Sequence, residues 1–72
     1  MAETMQLTVN GKPRETEGPL TLLRYLESLG INPQIVAVEH NGEIVKRAHY
    51  AETPLGDGDR LEIVRMVGGG QV

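Results

Sequence analysis

Several residue types are absent or rare in this sequence, and each absence excludes a class of protein or site. It has no cysteine, which excludes a disulfide framework, a thiol nucleophile and a thiolate-bound metal. It has two tyrosines, no other aromatic residue, and 7 basic against 10 acidic residues. It therefore lacks the basic stripe and stacking platforms by which proteins bind nucleic acid. Its apolar runs are too short to cross a bilayer, and its start lacks the features of a signal peptide. We expect a cytoplasmic protein, monomeric when free, with no nucleic-acid or membrane partner.

The length of 72 residues predicts one domain. A chain this short buries only about 60% of its unfolded surface, so its core is small. Hydrophobic residues make up 39% of the sequence, which is enough for independent folding. We expect the folded domain to span residues 1–67 and a flexible glycine-rich tail to span residues 68–72.

The first half of the sequence predicts a hairpin followed by a helix. Apolar and polar residues alternate from Met5 to Val9, as in a half-buried strand. Asn10-Gly11 follows, a dipeptide typical of tight hairpin turns, and residues 14–17 are expected to form the return strand. Thr21 is a candidate helix N-cap, with Gly30 as the left-handed residue that ends the helix. The expected helix spans residues 22–29, and its apolar stripe is Leu22, Leu23, Leu26 and Leu29.

The second half predicts three more strands. Residues 36–40 alternate, Asn41-Gly42 repeats the hairpin signal, and residues 44–45 begin the next strand. Residues 46–54 show no clear period and are expected to form an irregular loop. A tight turn at residues 56–59 precedes a last strand at residues 60–67. One amphipathic helix can be covered by a single mixed sheet, so the fold class is α+β, a β-grasp of about five strands on one helix. The predicted sheet residues facing the helix are Leu7, Val9, Val36, Val38, Leu61 and Ile63.

Side-chain chemistry is sparse in this sequence. His40 and His49 have no third candidate ligand in register, so we expect no metal site. Ser28, the only serine, lies on the predicted helix without a neighbouring base. Asp57 and Asp59 flank a glycine and are expected to hydrogen-bond their own turn. The sequence does not indicate an enzyme.

The glycines at the end of the sequence are the strongest candidate for a functional element. Gly68, Gly69 and Gly70 directly follow the last predicted strand. Glycine has no Cβ, so such a run can pass through a narrow channel in a partner. A carboxylate on this tether can be presented to another enzyme. Val64 and Met66 lie just before the glycines, and they could either form an exposed apolar patch that docks partners or complete the core edge.

These features resemble the ThiS-type sulfur carriers of thiamin biosynthesis, which are relatives of ubiquitin. The resemblance runs from Met5 to Gly70 and includes the helix at residues 20–29. It is carried by LTVNG at residues 7–11, VAVEHNGEIV at 36–45, LGDGDRLEIV at 55–64 and MVGGG at 66–70. The resemblance implies that the carboxylate of Gly70 is adenylated, becomes a thiocarboxylate and donates sulfur for thiazole synthesis. Gly68 and Gly69 would supply the reach.

The resemblance also implies the partners. A ThiF-like adenylyltransferase would activate the carboxylate with ATP, a cysteine desulfurase system or similar donor would supply sulfur, and thiazole synthase would receive it. No cofactor is expected to be bound by this chain. The family pattern stops at the glycine pair, whereas this sequence continues through Gln71 and Val72. We expect Gln71 and Val72 to be removed before Gly70 can react.

Two alternatives remain open from the sequence. The small subunit of molybdopterin synthase shares the fold, the tail and the activation chemistry, but it delivers sulfur to a pterin precursor. A β-grasp interaction module with an inert tail would use the same body without any chemistry at Gly70.

Overall fold

The computed structural model describes residues 3–66. It begins with an antiparallel hairpin of β1 (Glu3–Val9) and β2 (Lys12–Gly18). The turn residues Asn10 and Gly11 have φ values of 52° and 80°, as the tightest hairpin turns require. The predicted hairpin is confirmed, and β2 is longer at both ends than the sequence pattern indicated.

The helix α1 spans Leu22–Ser28 and begins at the predicted cap. The hydroxyl of Thr21 accepts a hydrogen bond from the Arg24 amide at 3.3 Å, which satisfies one of the unpaired amides of the first turn. At the other end Gly30 has a φ of 74°, and the Ile31 amide donates to the Leu26 carbonyl at 3.0 Å. This left-handed termination is the predicted one. The C-cap is Leu29, so the helix ends one residue earlier than predicted.

The prediction that Leu29 belongs to the core is wrong, because 44% of its surface is exposed. At the C-cap the chain turns through Gly30 and brings Ile31 back against the core cluster. An apolar residue two places after the C-cap commonly packs on the last turn of a helix. Ile31 therefore occupies the position that helical spacing assigned to Leu29. Leu22 and Leu26 are fully buried and Leu23 is half-buried, as predicted.

A second hairpin follows the helix. A short 3₁₀ turn (Pro33–Ile35) leads into β4 (Val36–His40), which pairs with β5 (Glu43–Val45). Asn41 and Gly42 in the connecting turn again have positive φ, at 52° and 87°. This predicted hairpin is also confirmed.

The expectation of an irregular loop at residues 46–54 is wrong. This segment contains a 3₁₀ helix (Arg47–Glu52) and begins β6 (Pro54–Leu55), which pairs with β3 (Leu20–Thr21) beside the helix. Tyr50 is 2% exposed, and its hydroxyl donates to the Val36 carbonyl at 3.1 Å. A buried tyrosine hydroxyl needs such an acceptor. The segment covers one end of the core. The sequence does not predict this, because a single buried aromatic residue produces no periodic pattern.

The last strand, β7 (Arg60–Arg65), lies at the centre of the sheet. It runs parallel to β1 and antiparallel to β4, in the order β2-β1-β7-β4-β5. This mixed five-stranded sheet with one helix is the predicted ubiquitin-like β-grasp. Within residues 3–66, no helix is long and apolar enough to span a membrane. The buried core consists of Met5, Leu7, Val9, Leu22, Tyr25, Leu26, Val36, Val38, Tyr50, Leu55 and Leu61, with Ile63 half-buried against it.

Candidate functional site

The site is built around the end of β7, from which the glycine segment continues. The Met66 amide donates to the Ile35 carbonyl at 2.7 Å, so backbone pairing holds the chain up to the last described residue. The predicted tether of Gly68, Gly69 and Gly70 lies outside the described residues, as do Val67, Gln71 and Val72. What the described residues show is a central strand that leads directly toward that segment.

Asn10 extends the hydrogen bonding of β7 beyond the end of β1. Its side-chain amide donates to the Ile63 carbonyl at 3.1 Å, and its Oδ1 accepts from the Ile63 amide at 2.7 Å. The Asn10 backbone amide also donates to the Leu61 carbonyl at 2.9 Å. The side chain thus replaces one residue of a neighbouring strand. The sequence alone predicts only a turn conformation for Asn10.

Asn41 holds the start of β7 from the opposite side. Its Oδ1 accepts from the Arg60 amide at 2.8 Å, and its backbone amide donates to the Arg60 carbonyl at 2.8 Å. The asparagines of both hairpin turns therefore bind the same strand. The sequence does not show that the two Asn-Gly turns lie on either side of β7, because their proximity depends on the order of the strands in the sheet.

Asp59 is the centre of a small polar cluster at the turn before β7. Its carboxylate accepts from the Gly56 amide at 2.8 Å, from the Asn41 side chain at 3.2 Å and from His40 Nε2 at 2.7 Å. Because an ionised carboxylate can only accept, Nε2 carries the proton in this contact. The predicted bond of Asp59 to its own turn is confirmed, while the links to His40 and Asn41 were not foreseen. Asp57 departs from the prediction, since it accepts from the Gln6 amide of β1 at 2.6 Å.

The environment of Asp59 favours its charged form. Burial of the carboxylate opposes ionisation and by itself raises the pKa. Hydrogen bonds from His40, the Gly56 amide and Asn41 outweigh this cost, so the pKa of Asp59 lies below its ordinary value of 3.8. Hydrogen bonding to a carboxylate stabilises the ionised state.

This lowered pKa predicts a dependence of stability on pH. The folded state holds its proton on Asp59 less tightly than the unfolded state, so the contribution is complete above pH 3.8 and is lost as pH falls through the folded pKa. Urea unfolding across this range should show a smaller loss of unfolding free energy for Asp59→Asn than for the parent protein. Glu27→Gln on the exposed side of α1 serves as control and should follow the parent. An Asp59→Asn profile as steep as the parent profile would contradict this role for Asp59.

The two histidines contact different partners, and Ser28 bonds within its own helix. Among residues 3–66 no group of three potential ligands could hold a metal ion. His40 contacts Asp59, whereas His49 lies 3.8 Å from Glu52 on the exposed 3₁₀ helix. The Ser28 hydroxyl donates to the Tyr25 carbonyl at 2.7 Å, which is local bonding within a helix.

The two open interpretations of Val64 and Met66 are decided in favour of exposure. Val64 is 59% exposed and Met66 is 53% exposed, so neither completes the core edge. Ile44 on β5, 78% exposed, belongs to the same side of the sheet as Val64, with β4 between them. A shallow groove there is lined by Ala37, Val38, Glu39, Ile44, Glu62 and Val64.

Comparison with known proteins assigns the family. The sequence pattern of the ThiS family matches residues 7–70. The chain belongs to the ThiS family. Among its relatives is the sulfur carrier protein ThiS of Thermus thermophilus, which is 40% identical over 62 residues covering 86% of this chain and 95% of the relative. The crystal structure of the thiamine biosynthesis protein ThiS from Geobacter metallireducens has a TM-score of 0.80 and 39% identity, covering 92% of this chain and all of that one.

A second kind of relative is much longer than this ThiS-family chain. A thiazole synthase of Paramagnetospirillum magneticum is 44% identical over 66 residues, which cover 92% of this chain. The chain spans about a fifth of the length of that relative, 20%. A ThiS-like segment therefore occurs within a longer polypeptide that is named for thiazole synthesis.

Proposed function

We propose that this ThiS-family protein carries sulfur for synthesis of the thiazole of thiamin, on the carboxylate of Gly70. The observation that supports it most is the position of β7. This central strand is hydrogen-bonded on both sides and by both turn asparagines, and it leads directly toward the three glycines. A reactive carboxylate beyond such a strand would be tethered to a rigid body, and the length of the glycine segment would set its reach.

The chemistry requires little from this chain. The Gly70 carboxylate oxygen attacks the α-phosphorus of ATP, pyrophosphate leaves, and a mixed anhydride with AMP forms. Hydrosulfide, released from the donor's persulfide by a thiol reductant, then attacks the acyl carbon and AMP leaves, so that sulfur replaces one carboxylate oxygen and a thiocarboxylate forms. ATP and the groups that bind it belong to a ThiF-like adenylyltransferase, and a cysteine desulfurase system is the proposed source of sulfur. The chain itself supplies the carboxylate and its tether of Gly68 and Gly69.

The names of the relatives favour the thiazole pathway over the pterin pathway. Two kinds of protein that match this chain are named sulfur carrier protein ThiS and thiazole synthase. We therefore propose that thiazole synthase consumes the thiocarboxylate. The molybdopterin alternative shares every step up to that transfer, so the receiving enzyme is what distinguishes the two.

The proposal is tested by the mass of the protein after sulfur transfer. A chain ending at Gly70 is incubated with the adenylyltransferase, ATP and a sulfide source, and the intact mass should increase by the difference between sulfur and oxygen. Omission of ATP is the control, because sulfur cannot displace an unactivated carboxylate oxygen. Adding thiazole synthase with its substrates should restore the original mass. No mass change under any condition would favour an interaction module with an inert tail.

A further inference from the structure

Each of the two hairpin turns contains a chemically labile asparagine. Asn10 and Asn41 each precede a glycine, whereas the third asparagine, Asn32, precedes a proline. The backbone nitrogen that follows an asparagine can attack the side-chain carbonyl carbon, and glycine permits this because it has no Cβ to crowd the new ring. Proline has no N–H to lose. The sequence therefore contains two susceptible asparagines and one inert asparagine.

Both susceptible side chains are bound to β7 in the folded protein. The Asn10 side-chain amide donates to the Ile63 carbonyl at 3.1 Å and accepts from the Ile63 amide at 2.7 Å. The Asn41 side-chain amide accepts from the Arg60 amide at 2.8 Å and donates to the Asp59 carboxylate at 3.2 Å. Ring closure requires each side chain to turn on to the backbone nitrogen of the following glycine, so these bonds have to break first. The reaction therefore has to wait until a turn opens locally from β7.

We propose that Asn10 and Asn41 are sites of spontaneous deamidation, and that their hydrogen bonds to β7 set its rate. The glycine nitrogen forms a bond to the side-chain carbonyl carbon and gives up its proton. The bond from that carbon to the side-chain nitrogen breaks, so ammonia leaves and a succinimide remains. Water then opens the ring at one of its two carbonyl carbons, which yields aspartate or isoaspartate. This chemistry is independent of the sulfur transfer at Gly70.

The products do not fit the positions that the two amides occupy. A carboxylate at position 10 has no N–H to donate to the Ile63 carbonyl. A carboxylate at position 41 meets the Asp59 carboxylate, which accepts from the Asn41 side chain at 3.2 Å, and like charges repel. Isoaspartate also adds a carbon to the main chain, which alters the geometry of a two-residue turn. Modification of either turn therefore loosens β7, the strand that leads toward the glycine segment.

The first test compares rates in the folded and the unfolded protein. The full 72-residue chain is incubated in mildly alkaline buffer with and without guanidinium chloride, and its proteolytic peptides are followed by mass spectrometry. In denaturant Asn10 and Asn41 should deamidate at similar rates, and Asn32 should stay intact. Without denaturant both reactions should be at least roughly tenfold slower, because each waits for local opening. Equal rates in the two conditions, intact asparagines throughout, or loss of the Asn32 amide in step with the other two would overturn the proposal.

Asp59→Ala separates the effect of one hydrogen bond from general loosening. It removes the acceptor of the Asn41 side-chain amide and leaves both bonds between Asn10 and Ile63 in place. In the folded variant Asn41 should deamidate several times faster than in the parent protein, whereas Asn10 in the same molecule should keep the parent rate. Equal acceleration at both asparagines, or at neither, would show that the bonds to β7 do not set the rate.

Asn10→Asp reproduces one product and tests its effect on the fold. Asp-Gly suits the same tight turn, so a loss of stability reports the missing bond to the Ile63 carbonyl. The melting temperature should fall by about 4–8 °C. Asn32→Asp adds the same charge where the side chain only accepts, from the Gln34 amide at 2.9 Å, and should melt like the parent. A parent-like melting temperature for Asn10→Asp would overturn the proposed damage to β7.

Discussion

Leu26→Ala is expected to lower the free energy of unfolding by about 2–5 kcal/mol. Leu26 is fully buried, and the core cluster around it includes residues of both the helix and the sheet. Truncation would remove the transfer free energy of the side chain and leave a cavity that the surrounding structure closes only in part. Domains of this size often have only roughly 3–5 kcal/mol of stability in total. The variant should therefore be largely unfolded, as urea titration followed by circular dichroism would show.

Leu29→Ala is the matched control for this prediction. It makes the same chemical change three residues later, but Leu29 is 44% exposed at the C-cap. This variant should lose only about 1 kcal/mol of unfolding free energy, because nearly half of the Leu29 surface is already exposed and less buried surface is removed than at Leu26. Similar losses of unfolding free energy for both variants would contradict this core and would support the helical stripe predicted from the sequence, which includes Leu29. Ile31→Ala should fall between the two, since Ile31 is partly buried against the core.

Removal of Gln71 and Val72 is expected to convert a poor substrate of the activating enzyme into a good one. Adenylation requires the carboxylate in line with the α-phosphorus of ATP, and small displacements in such reactions cost a large part of the rate. Two additional extended residues move the carboxylate by about 7 Å. Val72 also brings a branched Cβ to a position where the proposed channel accepts glycine. Pyrophosphate exchange should therefore be at least about 100-fold faster for the chain ending at Gly70.

A chain ending at Gly69 provides the control for length. It retains a terminal glycine but shortens the tether by one residue, so it should exchange more slowly than the chain ending at Gly70. Equal exchange with and without Gln71 and Val72 would show that the reactive carbon is not that of Gly70. Absence of exchange by all three forms would favour the interaction module.

Local sequence signals predicted most of the fold because the responsible interactions are local. Asn-Gly turns adopt positive φ through their own backbone preferences, and Thr21 caps a helix that begins one residue later. Alternation in β1, β4 and β7 reflects the two faces of a strand. Local patterns did not predict the structure of residues 46–54. A 3₁₀ helix has a different period from an α-helix or a strand, and Tyr50 is buried by contacts with distant elements.

The candidate site was predictable only in part. The glycine segment is recognisable from its composition and its position after the last strand. The exposure of Val64 and Met66 depends on how the sheet is assembled, so the sequence alone does not decide it. The Asp59 cluster joins residues 19 positions apart, and Asn10 binds Ile63 across 53 positions. Such contacts follow from which strands are neighbours, and no local pattern specifies that.

By itself, the sequence determined the class of fold, the two hairpins, the helix and the glycine segment at its end, because each depends on neighbouring residues and on their backbone preferences. Only the tertiary structure decided that Ile31 and not Leu29 packs against the core, that Asn10 and Asn41 hold β7, and that Glu39 and Glu62 face each other beside exposed Ile44 and Val64. The reason is physical. The contacts of the asparagines and of the glutamates are created when β7 inserts between β1 and β4, which joins residues that are distant along the chain.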